Sequence, residues 1–388
     1  MVLGAMSLVM ASQAQAIVFF LSAILLILLT NIVFMGRLKM PPGKVGGKVS
    51  ILVPARNEEA NIRRCVESLV AQAGVDHEVI VLDDGSTDRT AAILAELALR
   101  HSKLRVVKGK ELPAGWTGKN HACWLLAEES SGDVLFFTDA DTYHSPNSAA
   151  AASYALRSRK AGLVSGIVRQ EYGSFGEMLT VPVMNWALLC FMPVMLSNLL
   201  PHPLFSSACG QFMVFDRGAY LACGGHKAVK GQVLEDMELA RLVKKSGSKA
   251  LLLDATELVS CRMYAGFADA VGGFTKNLFA VFRNSILTNT FVWTWLSMVT
   301  VCPVLYLLLP SYVKSGATAY RSLASVALCL LIWVVGYYKS KTPLALAVIY
   351  PFSVILWSAL ALRSMVATIT GRSTWKERRL PKAKVRLV

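Results

Sequence analysis

Acidic residues are missing from both ends of this chain. Residues 1–57 contain no aspartate or glutamate, and after Asp269 only Glu377 remains. The other 24 of the 25 acids lie between Glu58 and Asp269, beside 21 lysines and arginines. The middle therefore has a net charge of −3, and the flanks hold 19 basic residues against one acid. A nucleic-acid binder concentrates positive charge on its folded domain. Here the charge borders apolar stretches, as contact with an anionic bilayer surface requires, and nucleic acid is not an expected partner. No C-x-x-C occurs among the eight cysteines, and none has a zinc-ligand partner at usual spacing. They read as small hydrophobes in a reducing compartment.

Long apolar runs are abundant. The chain is 54% hydrophobic with a mean hydropathy of +0.48, which points to membrane spans. Residues 1–36 hold no charge and are expected to form an amino-terminal anchor, with Ile17 to Met35 long enough to span. "AQA" at 14–16 imitates a signal-peptidase site, but no basic segment precedes it and the strongest apolar run follows, so an uncleaved anchor is expected. A basic, Pro- and Gly-rich linker covers 37–48. Three further apolar stretches lie near 290–310, 320–338 and 343–362, within a carboxy-terminal membrane region of 289–362, and a basic tail runs over 363–388. Three complete crossings put that tail opposite a cytoplasmic middle segment, against the positive-inside rule. Either one stretch is re-entrant or interfacial, or the apolar segment 178–200 dips into the bilayer. Pro182 and Pro193 break that segment, which reads as a membrane-facing element of the middle domain.

From about 49 to 270, within an expected domain of 49–288, strand and helix signals alternate. Strands are expected at 49–54, 78–84, 104–109 and 133–139, and helices at 58–73, from Asp88 to about Arg100, and at 119–130. Repeated βα units give a Rossmann-like, mainly parallel sheet whose ligands bind beyond the carboxyl ends of the strands. The unusual residues stand there. "VPARNEEANI" ends the first strand at Pro54, which cannot donate a ladder bond, and sets Arg56, Asn57 and Glu58 at its carboxyl end. "VLDDGSTDRT" ends the second on adjacent Asp83 and Asp84, which repel unless something compensates. "VLFFTDADTYHS" delivers Asp139 and Asp141, whose side chains share one side if the backbone stays extended. Such hard oxygen ligands suit Mg²⁺ or Mn²⁺ with a diphosphate completing the shell. "AGWTGKNHACW" places glycines and Lys119 ahead of a helix, suited to phosphate, with His121 read as structural. "VLEDMELARLVKKSG" opens a helix on Glu235 and Asp236, where a carboxylate could take a proton from an attacking hydroxyl.

In order and spacing, "VPARNEE", "DDGSTD", "DAD" and "ED" resemble the family 2 inverting glycosyltransferases of GT-A fold, over about residues 48–270. The apolar flanks, "GWTGKN", "GGFTKNLFAVF" and "GRSTWKERR" narrow the likeness to the hopanoid-associated and carotenoid branch, with ceramide glucosyltransferase more distant. The resemblance implies nucleotide contacts from Pro54, Arg56, Glu58 and Asp84, support from Asp83, metal and diphosphate at Asp139 and Asp141, and Asp236 as general base. A Q-x-x-R-W motif is missing, which argues against a processive synthase; Lys276 and Asn277 occupy that region. The implied activity is inverting, metal-dependent transfer of one sugar, from a donor expected to be UDP-linked, to a hydroxyl or carboxyl of a membrane lipid. The expected setting is the inner membrane, with the catalytic domain facing the cytoplasm. A polyprenyl-phosphate acceptor and a non-catalytic scaffold or transporter are the competing readings.

Overall fold

A computed structural model describes residues 2–308, 316–376 and 378–388, with side chains from Ser12 onward. Its centre is a seven-stranded sheet. In chain order the strands are β1 (Val45–Ala55), β2 (Val75–Asp83), β3 (Leu104–Lys108), β4 (Val134–Thr138), β6 (Leu163–Ile167), β8 (Phe212–Asp216) and β9 (Ala250–Asp254). Three short strands, β5 (Thr142–His144), β7 (Arg169–Gln170) and β10 (Val259–Cys261), make a second sheet. The large sheet has the order β3-β2-β1-β4-β8-β6-β9. Only β8 runs antiparallel to its neighbours.

Helices cover both faces, so the central strands are apolar on both sides rather than alternating. Ile51, Val53, Val79, Val81 and Phe136 point into one core, with helices Ile62–Val70, Thr90–Arg100 and Ser148–Ser158. Leu52, Ile80, Leu82, Leu135 and Phe137 point into the other, with helices Gly118–Glu129 and Glu235–Lys245. The first expected helix is shorter than its pattern. Asn57 adopts a left-handed φ of 52°, and the Glu58 and Glu59 amides bond to Thr90 and Asp88 instead of a helical turn.

A third core is built beside the sheet. It joins the amino-terminal helix, Val2–Phe34, to helices Ile286–Leu308, Gly316–Lys339 and Tyr350–Ile369. The 178–200 segment belongs to it. It forms helices Pro182–Phe191 and Val194–Leu199, broken at Pro193. Asn31 donates to the carbonyls of Leu189 (2.8 Å) and Met192 (2.6 Å) at that break and accepts from the Val194 amide (2.9 Å). Backbone groups freed by the proline thus find a partner on the amino-terminal helix. Trp186 stacks on Trp333 at 4.0 Å.

Four helical stretches among the described residues are long and apolar enough to cross a membrane: Ser12–Phe34, Ile286–Leu308, Gly316–Lys339 and Leu344–Ile369. Their ends are unequal. Gln13 meets Tyr306 (2.8 Å) and Met298, so the start of the first helix and the end of the second lie together. At the opposite end, Leu38 donates to the Asp254 carbonyl and Lys339 pairs with the Asp254 carboxylate at 2.5 Å. The last apolar stretch begins beside the catalytic domain, where Thr342 meets Tyr172 at 3.0 Å. It also ends there, because the strands after it, β11 (Thr374–Trp375) and β12 (Arg378–Arg379), pack on the strand-end loops of the sheet.

Candidate active site

The carboxyl ends of β1, β2 and β4 and the amino ends of two helices converge. After β1, the Asn57 side chain accepts from the Thr87 amide (2.8 Å) and its own amide donates to the Ser86 hydroxyl (3.0 Å), which ties the β1 loop to the β2 loop. Asp83 is the brace of that loop: its Oδ1 accepts from the Ser86 amide at 3.0 Å and the Ser86 hydroxyl at 2.5 Å. These bonds compensate one of the two adjacent charges. Asp84, 7% exposed, turns inward, and Gly85 takes a φ of +68° to permit the turn. Burial raises the Asp84 pKa and a guanidinium, from Arg378, works against it. Pro54 lies within β1, paired with Leu82.

Thr117 caps helix Gly118–Glu129 through the Asn120 amide, and Lys119 projects from its first turn. The Lys119 ammonium lies 2.8 Å from Asp139 and 3.0 Å from Glu235. Burial opposes its charge, but Asp139 and then Glu235 outweigh it, so its pKa stands well above the ordinary lysine value. The D-x-D and E-D pairs, nearly a hundred residues apart, are therefore one ammonium apart in space. His121 is buried against Trp116 and Trp124, as a structural residue would be.

Asp139 and Asp141 come together differently from expectation. β4 ends at Thr138, and the two acids lie in a turn rather than on extended backbone. Thr142 closes the turn by donating its hydroxyl to the Asp139 carbonyl at 2.8 Å. Asp141 Oδ1 is buried with no hydrogen-bond partner. Burial, then Asp139, pushes the Asp141 carboxyl up to about 8. A buried orphan carboxylate oxygen facing a second carboxylate is what a hard divalent cation satisfies. No group of three or more His, Cys, Asp or Glu suited to a metal occurs among the described residues, so an ion here would draw other ligands from substrate or water.

Asp236 sits in the first turn of its helix. Its Oδ2 accepts from the Gly210 amide at 2.9 Å and its Oδ1 from the Met237 amide at 2.8 Å. Burial, then the Glu235 charge, pushes it up to about 6. Glu235 moves the other way: burial is outweighed by Lys119. Two adjacent acids thus separate into one held ionised and one whose proton affinity is raised, a division that suits acid–base work. Lys276, whose ammonium lies 3.9 Å above the Trp375 ring, is pushed down to about 8 by burial. Asn277 carries a buried, unpartnered Oδ1.

Beside Lys276 opens a cleft of about 850 Å³. One wall is helix Phe267–Val281 and the other is Tyr350–Ile369, with Arg363, Arg372 and Lys376 adding positive charge against Asp269. Sequence reasoning singled out "GRSTWKERR" without assigning Trp375, Lys376 or Arg378 to the site. It also passed over Gly210, where a Cβ would meet Lys119, Asp236 and Glu235 within 3.3–3.5 Å.

A mixed, mainly parallel sheet with acids gathered beyond its strand ends defines the GT-A class. The chain resembles in fold the mannosyltransferase PcManGT from Pyrobaculum calidifontis, solved in complex with GDP-Man and Mn²⁺, with a TM-score of 0.55 over 93% of this chain and 98% of that one, at 16% identity. Residues 50–221 match the model described as Glycosyl transferase family 2. Among curated relatives, the 4,4'-diaponeurosporenoate glycosyltransferase of Staphylococcus haemolyticus (strain JCSC1435) is 31% identical over 62% of this chain and 63% of its own length. That of Staphylococcus aureus (strain MRSA252) is 29% identical over 59% and 60%. The match spans about three fifths of these relatives.

Proposed function

We propose that this protein transfers a single sugar from a nucleoside-diphosphate sugar to a membrane lipid, with inversion at the anomeric carbon. The observation that carries the reading is Lys119 bridging Asp139 and Glu235, which assembles a diphosphate-metal corner and a base corner around one space. The nucleoside would lie against Pro54, Arg56, Glu58 and Asp84, with Asp83 bracing the loop. Asp139 and Asp141 would hold a Mg²⁺ or Mn²⁺ ion, which supplies charge neutralisation to a departing diphosphate. Lys119 would contribute fixed positive charge at the same corner. With a hydroxyl acceptor, Asp236 would receive the proton, its carboxylate aimed by the Gly210 and Met237 amides. Glu235, kept ionised by Lys119, raises the proton affinity of Asp236 and so sharpens that role.

The acceptor would enter through the cleft between Phe267–Val281 and Tyr350–Ile369. Phe352, Ile355, Leu362, Val366 and Ile369 are about half exposed along the outer face of the latter helix. Such a face suits a helix lying in the membrane plane. Lys276, Arg363 and Arg372 favour an acceptor with an anionic head. The name of the staphylococcal relatives points to a carotenoid acid, and the same cations suit a lipid phosphate. An ionised carboxylate or phosphate attacks without losing a proton, so Asp236 would then position rather than deprotonate. The domain limits 49–288 for the catalytic unit and 289–362 for the membrane region follow from this reading. With the basic linker and tail on the catalytic side, the positive-inside rule places that side in the cytoplasm. Mass spectrometry of lipids recovered after incubating the purified protein with a panel of nucleotide sugars tests the proposal. One new hexose on a lipid is expected; no modified lipid with any donor would contradict it.

A further inference from the structure

Resting on that reading, we propose that the paired carboxy-terminal strands β11 and β12 are part of the donor site, and that Lys376 and Arg378 bind the diphosphate of the nucleotide sugar. The pair reaches its place across almost three hundred residues of sequence. Arg56 donates to the Lys376 carbonyl at 3.2 Å, and Trp375 lies under Lys276. Lys376 in turn donates to the Asn57 carbonyl at 2.8 Å and pairs with Glu58 at 3.1 Å. Arg378 pairs with the Asp84 carboxylate and donates to the Asp84 carbonyl at 3.1 Å. Gly118 leaves the space: a Cβ there would stand 2.9 Å from Arg378 and 3.0 Å from Asp84.

Charge explains why a donor site needs this pair of strands. Seven carboxylates border the site: Glu58, Asp83, Asp84, Asp139, Asp141, Glu235 and Asp236. Arg56, Lys119 and Lys276 stand against them, with Arg64 and Arg262 near Asp141 already paired to Glu171 and Glu177. A diphosphate entering so acidic a space is repelled, and one divalent ion leaves much of the excess. Lys376 and Arg378 supply the remaining positive charge. Both are about 30% exposed, so they can change partners without unfolding anything. Their resting counter-ions are the acids that face the nucleoside. When the diphosphate arrives, the guanidinium turns two N–H groups onto phosphate oxygens, a geometry that arginine fits and lysine does not. Asp84 is released to accept hydrogen bonds from the nucleoside. Because Trp375 and Lys376 also line the lipid cleft, the strand pair borders both substrates.

The test is calorimetry of the full-length protein in detergent, with UDP, GDP, uridine and guanosine as probes and Mn²⁺ present. Wild type is expected to bind one diphosphate. Arg378→Ala should weaken that diphosphate at least tenfold, Arg378→Lys less so, and Lys376→Ala severalfold. Binding of the matching nucleoside should hold or tighten, since Asp84 is freed. Lys384→Ala removes an exposed tail charge outside the strand pair and should change nothing. If Arg378→Ala fails to fold, Arg378→Gln and Lys376→Ala carry the comparison. Unchanged or tighter diphosphate binding in the folded variants would overturn the proposal and leave glycosyl transfer standing. No binding of either diphosphate by folded wild type would overturn both.

Discussion

The Lys119 ammonium stands 2.8 Å from an oxygen of Asp139, with Glu235 at 3.0 Å on its other side. Without that cation, two partly buried carboxylates face each other. Lys119→Met is therefore expected to cost about 1–3 kcal/mol of stability, less than a fully buried pair because both groups keep some solvent. The loss of transferase turnover should be larger, on the order of 100-fold. Thermal unfolding and steady-state kinetics on one preparation check both. A variant with near wild-type turnover would remove Lys119 from the catalytic corner.

Asp236 couples stability and activity in opposite directions. Its folded pKa, up to about 6, lies above the unfolded carboxylate value. A raised carboxyl stabilises the fold at low pH, and that contribution is lost as pH rises through about 6, leaving a buried charge. Asp236→Asn removes the titrating group, at the cost of one of the two amide contacts, and should flatten the dependence of melting temperature on pH around 6. With a hydroxyl acceptor the same substitution should abolish turnover, and wild-type kcat/KM should fall about tenfold per pH unit below 6. A flat profile from pH 8 to 5 would contradict the base role and favour an acceptor that is already ionised.

The membrane arrangement follows from which helix ends meet. Helices Ser12–Phe34, Ile286–Leu308 and Gly316–Lys339 are expected to cross, and Tyr350–Ile369 to lie along the interface, both of its ends touching the catalytic domain. Cysteines placed at exposed Gly316 and Lys384 should then label from opposite sides of sealed vesicles, with Cys302, the one native cysteine that is not buried, changed to alanine. Labelling from the same side would mean that the last helix crosses.

The cations of the cleft are expected to act on the acceptor. Arg363→Ala and Arg372→Ala should each raise the acceptor KM roughly tenfold, the scale of one charge-assisted contact, with little change in donor KM. An equal effect on both substrates would place the cleft elsewhere in the reaction.

The central parallel strands β1, β2 and β4 were legible because burial on both faces leaves uninterrupted apolar runs, and the acids were conspicuous because they end those runs. The E-D helix was legible through its amphipathic period. Other features were not. The turn that gathers Asp139 and Asp141 depends on Thr142, which looks like any strand residue. The left-handed Asn57 shortens the first helix through bonds to Ser86, Thr87, Thr90 and Asp88, a whole βα unit away. Nothing local in "GRSTWKERR" says that Arg378 faces Asp84, because the two residues are 294 positions apart in the chain. That the chain on both sides of Tyr350–Ile369 is tied to the sheet domain is equally invisible to hydropathy, which counts apolar residues alone.

Release of nucleoside diphosphate from a donor panel, by the detergent-solubilised protein with Mn²⁺ or Mg²⁺ and membrane lipid, tests the central claim most directly. The account predicts lipid-dependent release from one donor, lost on adding a chelator and in Asp139→Asn and Asp141→Asn proteins that remain folded. Release that persists in both variants, or no release from any donor by folded wild type, would contradict it.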